Sequence, residues 1–155
     1  MRILAIDPGT RTGWAWLDTD GGGPEHGTVA FALERGESAG MRFLKFRAWL
    51  HGAMAEGKPD LVIYERAHHR GGAATEVCVG MTTRIQEEAE RMGAEYVAVH
   101  TASLKKHATG SGRAGKAEMI SAARERWGVE PIDDNEADAL CLLAFAVEKW
   151  KEEES

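Results

Sequence analysis

The chain opens Met1-Arg2-Ile3-Leu4-Ala5-Ile6-Asp7-Pro8-Gly9-Thr10-Arg11-Thr12-Gly13-Trp14-Ala15-Trp16, and the reading of this stretch decides the fold. Residues 3–6 are a short apolar run rich in β-formers that stops at Asp7-Pro8-Gly9. Pro8 biases Asp7 toward an extended backbone, and Pro-Gly is a strong turn signal. Residues 12–17 resume as a second strand, so the pattern predicts a hairpin with one carboxylate at the end of a buried strand. Burying an unpaired charge is costly. Asp7 therefore either caps the turn, pairs with Arg11, or belongs to a metal or phosphate site, with Gly9 letting a ligand approach the backbone. Convergence of further carboxylates on the same place would decide between these.

Outward from the hairpin, Gly21-Gly22-Gly23-Pro24 reads as a loop and residues 27–33 as a third strand, completing an antiparallel meander. Apolar residues recur at helical spacing over 38–56. Residues 61–64 form a short buried strand that runs into Glu65, after which His68-His69-Arg70-Gly71-Gly72 is a basic loop. A helix is expected over 73–92, closed by Gly93. A fifth strand follows over 95–100, a short helix over 101–107, and two final helices over 116–127 and 134–150. A meander followed by β-α-β-α connections predicts a mixed five-stranded α/β sheet, three antiparallel strands plus parallel ones, flanked by helices. One domain over 1–150 is expected, with 151–155 a frayed, charged tail.

Composition narrows the function classes. The 155 residues carry a net charge of -6, with 43% hydrophobic and 28% charged residues, ordinary for a globular domain. No apolar run approaches the roughly 20 residues of a membrane helix. The N-terminus reads as a strand rather than a signal peptide. Cys78 and Cys141 stand alone among apolar neighbours and read as reduced core residues. Together these predict a cytoplasmic, intracellular protein. The acidic average argues against nonspecific coating of nucleic acid. It conceals a basic stretch, however, in which Lys105, Lys106, Arg113, Lys116, Arg124 and Arg126 gather.

Two further acids complete a pattern with Asp7. If strands one and four are parallel neighbours, Asp7 and Glu65 sit side by side at the carboxyl edge, where open α/β sheets place their sites. The last helix opens Asp133-Asp134-Asn135-Glu136-Ala137-Asp138, a capping-box variant with Asp133 as N-cap. On a helix of 3.6 residues per turn, Asp134 lies about 40° and Asn135 about 60° from Asp138, so the three share a face. Acids at a helix start complement its dipole, which accounts for Asp133, Asp134 and Glu136. It accounts less well for Asp138, a full turn in. A strand-end Asp, a strand-end Glu and a helical Asp are hard oxygen ligands suited to two Mg²⁺ ions for phosphodiester hydrolysis.

On these motifs the chain resembles the RuvC-type Holliday-junction resolvases of the ribonuclease H-like superfamily. The matching residues are Ile6-Asp7-Pro8-Gly9-Thr10 with Thr12-Gly13-Trp14-Ala15, Ile63-Tyr64-Glu65, Lys105, Gly110-Ser111-Gly112-Arg113-Ala114-Gly115-Lys116, and Glu136-Ala137-Asp138-Ala139-Leu140. The resemblance implies a homodimer that binds four-way DNA junctions and nicks two opposed strands with Mg²⁺ or Mn²⁺, in a bacterial or bacteriophage setting. It implies that Asp7, Glu65 and Asp138 bind metal, and that Lys105 and Lys116 face the DNA and the scissile phosphate. The family usually carries Asp or His three residues before the last Asp, and here Asn135 stands there, with Asp134 on nearly the same face as a substitute. His68 occupies a position that in the family holds an aromatic residue near the junction centre. A branch-migration helicase partner is not readable from the sequence.

Other motifs yield less. Gly110 to Lys116 fits the start of a nucleotide-binding P-loop, yet Ala117 stands where Ser or Thr is needed and no buried strand precedes it. A basic loop ending at a helix N-terminus, ready to hold a DNA phosphate, fits better. His68, His69 and Arg70 lack the partners of a metal site and read as DNA-contacting or as a solvated loop. His26, His51, His100 and His107 have no partner visible in the sequence. Trp49, Met54 and Met81 sit at core spacing, and apolar surface on the 73–92 helix is a candidate dimer contact. Two alternatives stand beside the nuclease. An actin or sugar-kinase-like ATP-binding protein needs a second domain for which there is no room. A noncatalytic nucleic-acid-binding module of the same fold has no need to retain all three acids.

Overall fold

The computed structural model describes residues 1–67 and 71–154. Its elements in chain order are β1 (Arg2–Asp7), β2 (Arg11–Asp18), β3 (Glu25–Ala30), α1 (Ala39–Gly57), β4 (Leu61–Glu65), α2 (Gly72–Met92), β5 (Glu95–Val99), α3 (Thr101–Thr109), α4 (Lys116–Trp127) and α5 (Asp134–Glu154). The third strand lies two residues earlier than its apolar residues suggest, because Glu25 pairs with Trp16 and Ala30 with Arg11. Helix α5 runs four residues past Trp150, into the stretch expected as a charged tail. His68, His69 and Arg70 lie outside the described residues.

The sheet order is β3-β2-β1-β4-β5. β1 is antiparallel to β2, and β2 to β3, as a meander requires. β1 is parallel to β4, and β4 to β5, each reached by a helical crossover. The mixed five-stranded α/β architecture expected from the pattern is the one observed. Strands β1 and β4 are central and covered on both faces, which is why they read as continuous apolar runs rather than alternating ones.

Each face of the sheet has its own core. Leu4, Ile6, Val62 and Tyr64 point to one side and pack with Phe46, Leu50 and Met54 of α1 and Met81 and Ile85 of α2. Ile3, Ala5, Leu61 and Ile63 point to the other and pack with Leu104 of α3, Met119 of α4 and Leu140 and Leu143 of α5. The period-2 alternation of a strand assigns alternate residues of one run to two different cores. Met54 and Met81 are buried as their spacing suggests, whereas Trp49 is only partly covered. Cys141 is in the core, Cys78 is half-buried, and both are free thiols.

Helix α5 crosses the face behind β1 and β2, and its start is pinned by four contacts. Asp133 accepts from the backbone N–H of Glu136 at 2.9 Å, the N-cap its position predicts. Glu136 is buried, accepts from the N–H of Ile132 at 3.1 Å, and also pairs with His26 Nδ1 of β3. Arg11 at the start of β2 forms its ion pair with Asp133. The reading in which Arg11 neutralises Asp7 is therefore set aside. No helix among the described residues is long and apolar enough to cross a membrane.

Candidate active site

The last pair of the parallel β1–β4 ladder is Ile6 with Tyr64. One residue further stand Asp7 and Glu65, both at the carboxyl ends of their strands. The turn after Asp7 is closed by Thr12, whose fully buried hydroxyl donates to the Gly9 carbonyl at 2.8 Å and accepts the Gly9 N–H at 3.3 Å. Asp138 reaches the same edge from the second turn of α5, and ligand oxygens of Asp7, Glu65 and Asp138 all lie within 4.8 Å of one another. Three chain segments far apart in sequence thus converge on one acidic cluster.

The electrostatics of the cluster suit a cation. Burial pushes the Asp7 carboxyl well above the usual carboxylate range, and the charges of Glu65 and Asp138 push it further. Asp138 is raised to about 7, by burial first, then by Glu65 and Asp134, with Lys105 of α3 pulling the other way. Repulsion among crowded carboxylates is relieved by a divalent cation held between them. The donor set is all oxygen, which suits a hard divalent cation.

Asp134 is felt by both Asp7 and Asp138. It is not one of the acids within 4.8 Å of each other, and its carboxylate lies 3.9 Å from Lys116 Nζ. The backbone carbonyl of Asn135 packs directly over Gly13 of β2. Lys105 is half-buried beside Asp138, while Lys106, Arg113 and Lys116 are exposed. Lys116 opens α4, whose N-cap Gly115 supplies no side-chain hydrogen bond.

Two features of the site were not read from the sequence. Thr101, the first residue of α3, donates its hydroxyl to Glu65 Oε1. The signal was available: β5 pairs with β4 through Val99 and Glu65, so a residue just past β5 must lie beside Glu65. Cys78 of α2 lies with its thiol 3.9 Å from the Pro8 carbonyl, and burial together with the Glu65 charge pushes that thiol up. The histidines without visible partners have them in three dimensions. His51 meets Glu88 at 2.8 Å, His107 meets Glu148, and the His100 ring accepts from the Ala102 N–H.

The sheet order and the strand-end acids define the class, a ribonuclease H-like α/β fold. A Thermus thermophilus RuvC structure superposes with a TM-score of 0.74 at 22% identity over 92% of this chain and 90% of that one. The T. thermophilus RuvC in complex with Holliday junction substrate gives 0.76 at 22% identity over the same shares. The yeast mitochondrial Holliday junction resolvase Ydc2 gives 0.60 at 12% identity, over 91% of this chain and 75% of that one. No family model matches the chain. In sequence it is 29% identical over 156 residues to the crossover junction endodeoxyribonuclease RuvC of Synechococcus sp. (strain WH7803), covering 97% of this chain and 98% of that protein. The chain thus has the ribonuclease H-like fold and is similar over nearly its whole length to a RuvC-type crossover junction endodeoxyribonuclease.

Proposed function

We propose that the protein is a metal-dependent, structure-selective DNA endonuclease that resolves four-way junctions by paired phosphodiester hydrolysis. The observation that carries this reading is the convergence of Asp7, Glu65 and Asp138 within 4.8 Å at the carboxyl edge of the sheet. The relatedness over nearly the whole chain to a crossover junction endodeoxyribonuclease supports the same substrate class.

Asp7, Glu65 and Asp138 would hold Mg²⁺ or Mn²⁺, two ions per site, with Asp134 or Asn135 adding a fourth ligand. When bound, the ions supply an activated water and charge stabilisation at the leaving oxygen. The protein's own residues do the rest. Thr101 holds Glu65 by its hydroxyl, and Asp133 and Glu136 fix the start of α5 and hence the direction from which Asp138 arrives. Lys105, Lys106, Arg113 and Lys116 provide cations along one margin of the acidic edge, where the phosphate backbone would lie. Lys116 is assigned to the scissile phosphate, where a fixed cation counts most as charge develops. His68, His69 and Arg70 follow Glu65 in the chain and are assigned to the junction on sequence grounds alone. Two copies of the chain would present two such sites to opposed strands.

A labelled four-way junction incubated with the protein, with and without Mg²⁺, tests the reading, with ATP hydrolysis measured on the same sample. Symmetric, Mg²⁺-dependent nicks in opposed strands are expected. Junction binding without cleavage at any metal concentration would make the chain a noncatalytic module.

A further inference from the structure

A groove lies on the α1 face of the sheet. The second half of α1 stands away from β2 and β3 and leaves a groove of about 650 Å³. This falls within the roughly 300–1,000 Å³ of ligand sites. Trp14 and Trp16 form its floor and Trp49 of α1 one wall. The indoles are held firmly. A Cβ at Gly57 would come within 1.8 Å of the Trp16 ring, and one at Gly27 within 2.9 Å of Trp14, so each ring packs against glycine backbone. Gly52, facing the groove from the middle of α1, has nothing within 4 Å of its Cβ position.

The rim decides what such a groove accepts. Asp18, Glu25 and Glu56 border it, and among the described residues Glu25 and Glu56 have no ion-pair partner. Arg2, the cation in the lining, is already committed, donating to the Gly57 carbonyl at 3.3 Å and lying 3.8 Å from Asp18. Half-buried indoles flanked by carboxylates attract an organic cation, and the carboxylates repel phosphate. DNA is therefore the wrong occupant. The groove, at about 650 Å³, combines an apolar floor with an acidic rim. The geometry points to a docking site for a short, extended peptide segment of a partner protein, carrying Arg or Lys between apolar residues. β1 borders the groove at Arg2 and Leu4 and ends at Asp7. Leu4 and Ile6 face the α1 side of the sheet and Ile3 and Ala5 the α5 side, so by strand alternation Asp7 belongs to the face opposite the groove, and a partner and a DNA substrate can be held together.

The test is an NMR titration of the indole N–H resonances of ¹⁵N-labelled full-length protein at 150 mM salt. The probe is an acetylated nonapeptide of alternating arginine and leucine, compared with its glutamate counterpart, tetramethylammonium chloride and a DNA duplex. Saturable shifts at Trp14, Trp16 and Trp49 are expected with the arginine peptide alone. Trp127, whose indole N–H donates to the Leu140 carbonyl at 2.9 Å on the other face, should not move. Gly52→Leu, which fills open space, and Glu56→Lys should each weaken the apparent affinity at least ten-fold while junction cleavage stays unchanged. Glu90→Lys, an equal charge change on α2, should leave affinity intact. Absence of saturable shifts, equal response to the glutamate peptide, or equal loss in Glu90→Lys would overturn the proposal. Tetramethylammonium matching the peptide would reduce the groove to a small-cation site. Gly52→Leu converting a dimer to a monomer in sedimentation would assign the groove to a second copy of this chain, and each of these two results also overturns it.

Discussion

The backbone carbonyl of Asn135 packs so closely on Gly13 that a Cβ at position 13 would lie 1.9 Å from it. Gly13 is thus the place where the hairpin carrying Asp7 and the helix carrying Asp138 meet without a side chain between them. Gly13→Ala must push the start of α5 outward, carrying Asp138 with it. Overpacking of this kind costs about 1–3 kcal/mol. A lowered Tm together with a cleavage loss larger than the stability loss explains is the expected result, read by thermal melting and single-turnover kinetics. Wild-type cleavage in Gly13→Ala would show that the site tolerates displacement of α5.

Asp7→Asn should abolish cleavage, by more than about a thousand-fold, since several kcal/mol of metal-derived charge stabilisation would go with the ligand. Junction affinity should stay near wild type, because removing a negative charge does not weaken attraction to phosphates. Gel-shift affinity and cleavage rate measured on one preparation check this. Loss of binding with normal cleavage of what remains bound would contradict the assignment.

The metal-free protein should lose stability as pH rises. The folded-state value of Asp138 is raised from 3.8 to about 7, and Asp7 is raised as well. Between the unfolded and folded values the native state binds more protons than the unfolded one, so the slope of unfolding free energy with pH is negative. This stabilisation is fully present below about pH 4 and gone above about 7, and added metal should restore it at the alkaline end, where the ligands are deprotonated. Melting curves from pH 5 to 8 in chelator and in Mg²⁺ measure it. The slope should flatten in Asp138→Asn, and an unchanged slope there would place the titration elsewhere.

The fourth ligand separates by paired substitutions. Asp134 acts on both Asp7 and Asp138, whereas the contact assigned to Asn135 is made by its backbone carbonyl. Asp134→Asn should therefore cost more activity than Asn135→Ala, measured at saturating junction across a Mg²⁺ series. The reverse order would give the ligand to Asn135, and equal negligible effects would mean that three acids suffice.

The two lysines should fail differently. Each phosphate contact releases condensed counterions, so Lys105→Ala should reduce the salt slope of junction affinity by roughly one unit. Lys105 also draws the Asp138 value downward, so its loss should raise the Asp138 titration in the metal-free protein, visible in carboxyl ¹³C shifts. Lys116→Ala should slow the single-turnover rate more than it weakens binding. If Lys116→Ala cleaves at the wild-type rate once fully bound, the loop before α4 is only a tether.

Local sequence determined the elements and most of the acidic site. Apolar runs of four or five residues stopped by Asp7-Pro8 and by Glu65 could only be short buried strands ending in acids, and a full helical turn between Asp134 and Asp138 placed both on one face. These are short-range consequences of backbone period and turn chemistry. Tertiary structure alone decided what crosses between segments: Arg11 with Asp133 rather than Asp7, His26 with Glu136, Thr101 with Glu65, Lys105 beside Asp138. Each of these pairs joins residues from different elements, and no periodicity along the chain encodes a distance across it. The groove follows the same rule. Trp14, Trp16 and Gly57 read separately as strand aromatics and a helix end, and only the packing of α1 against β2 makes them one surface.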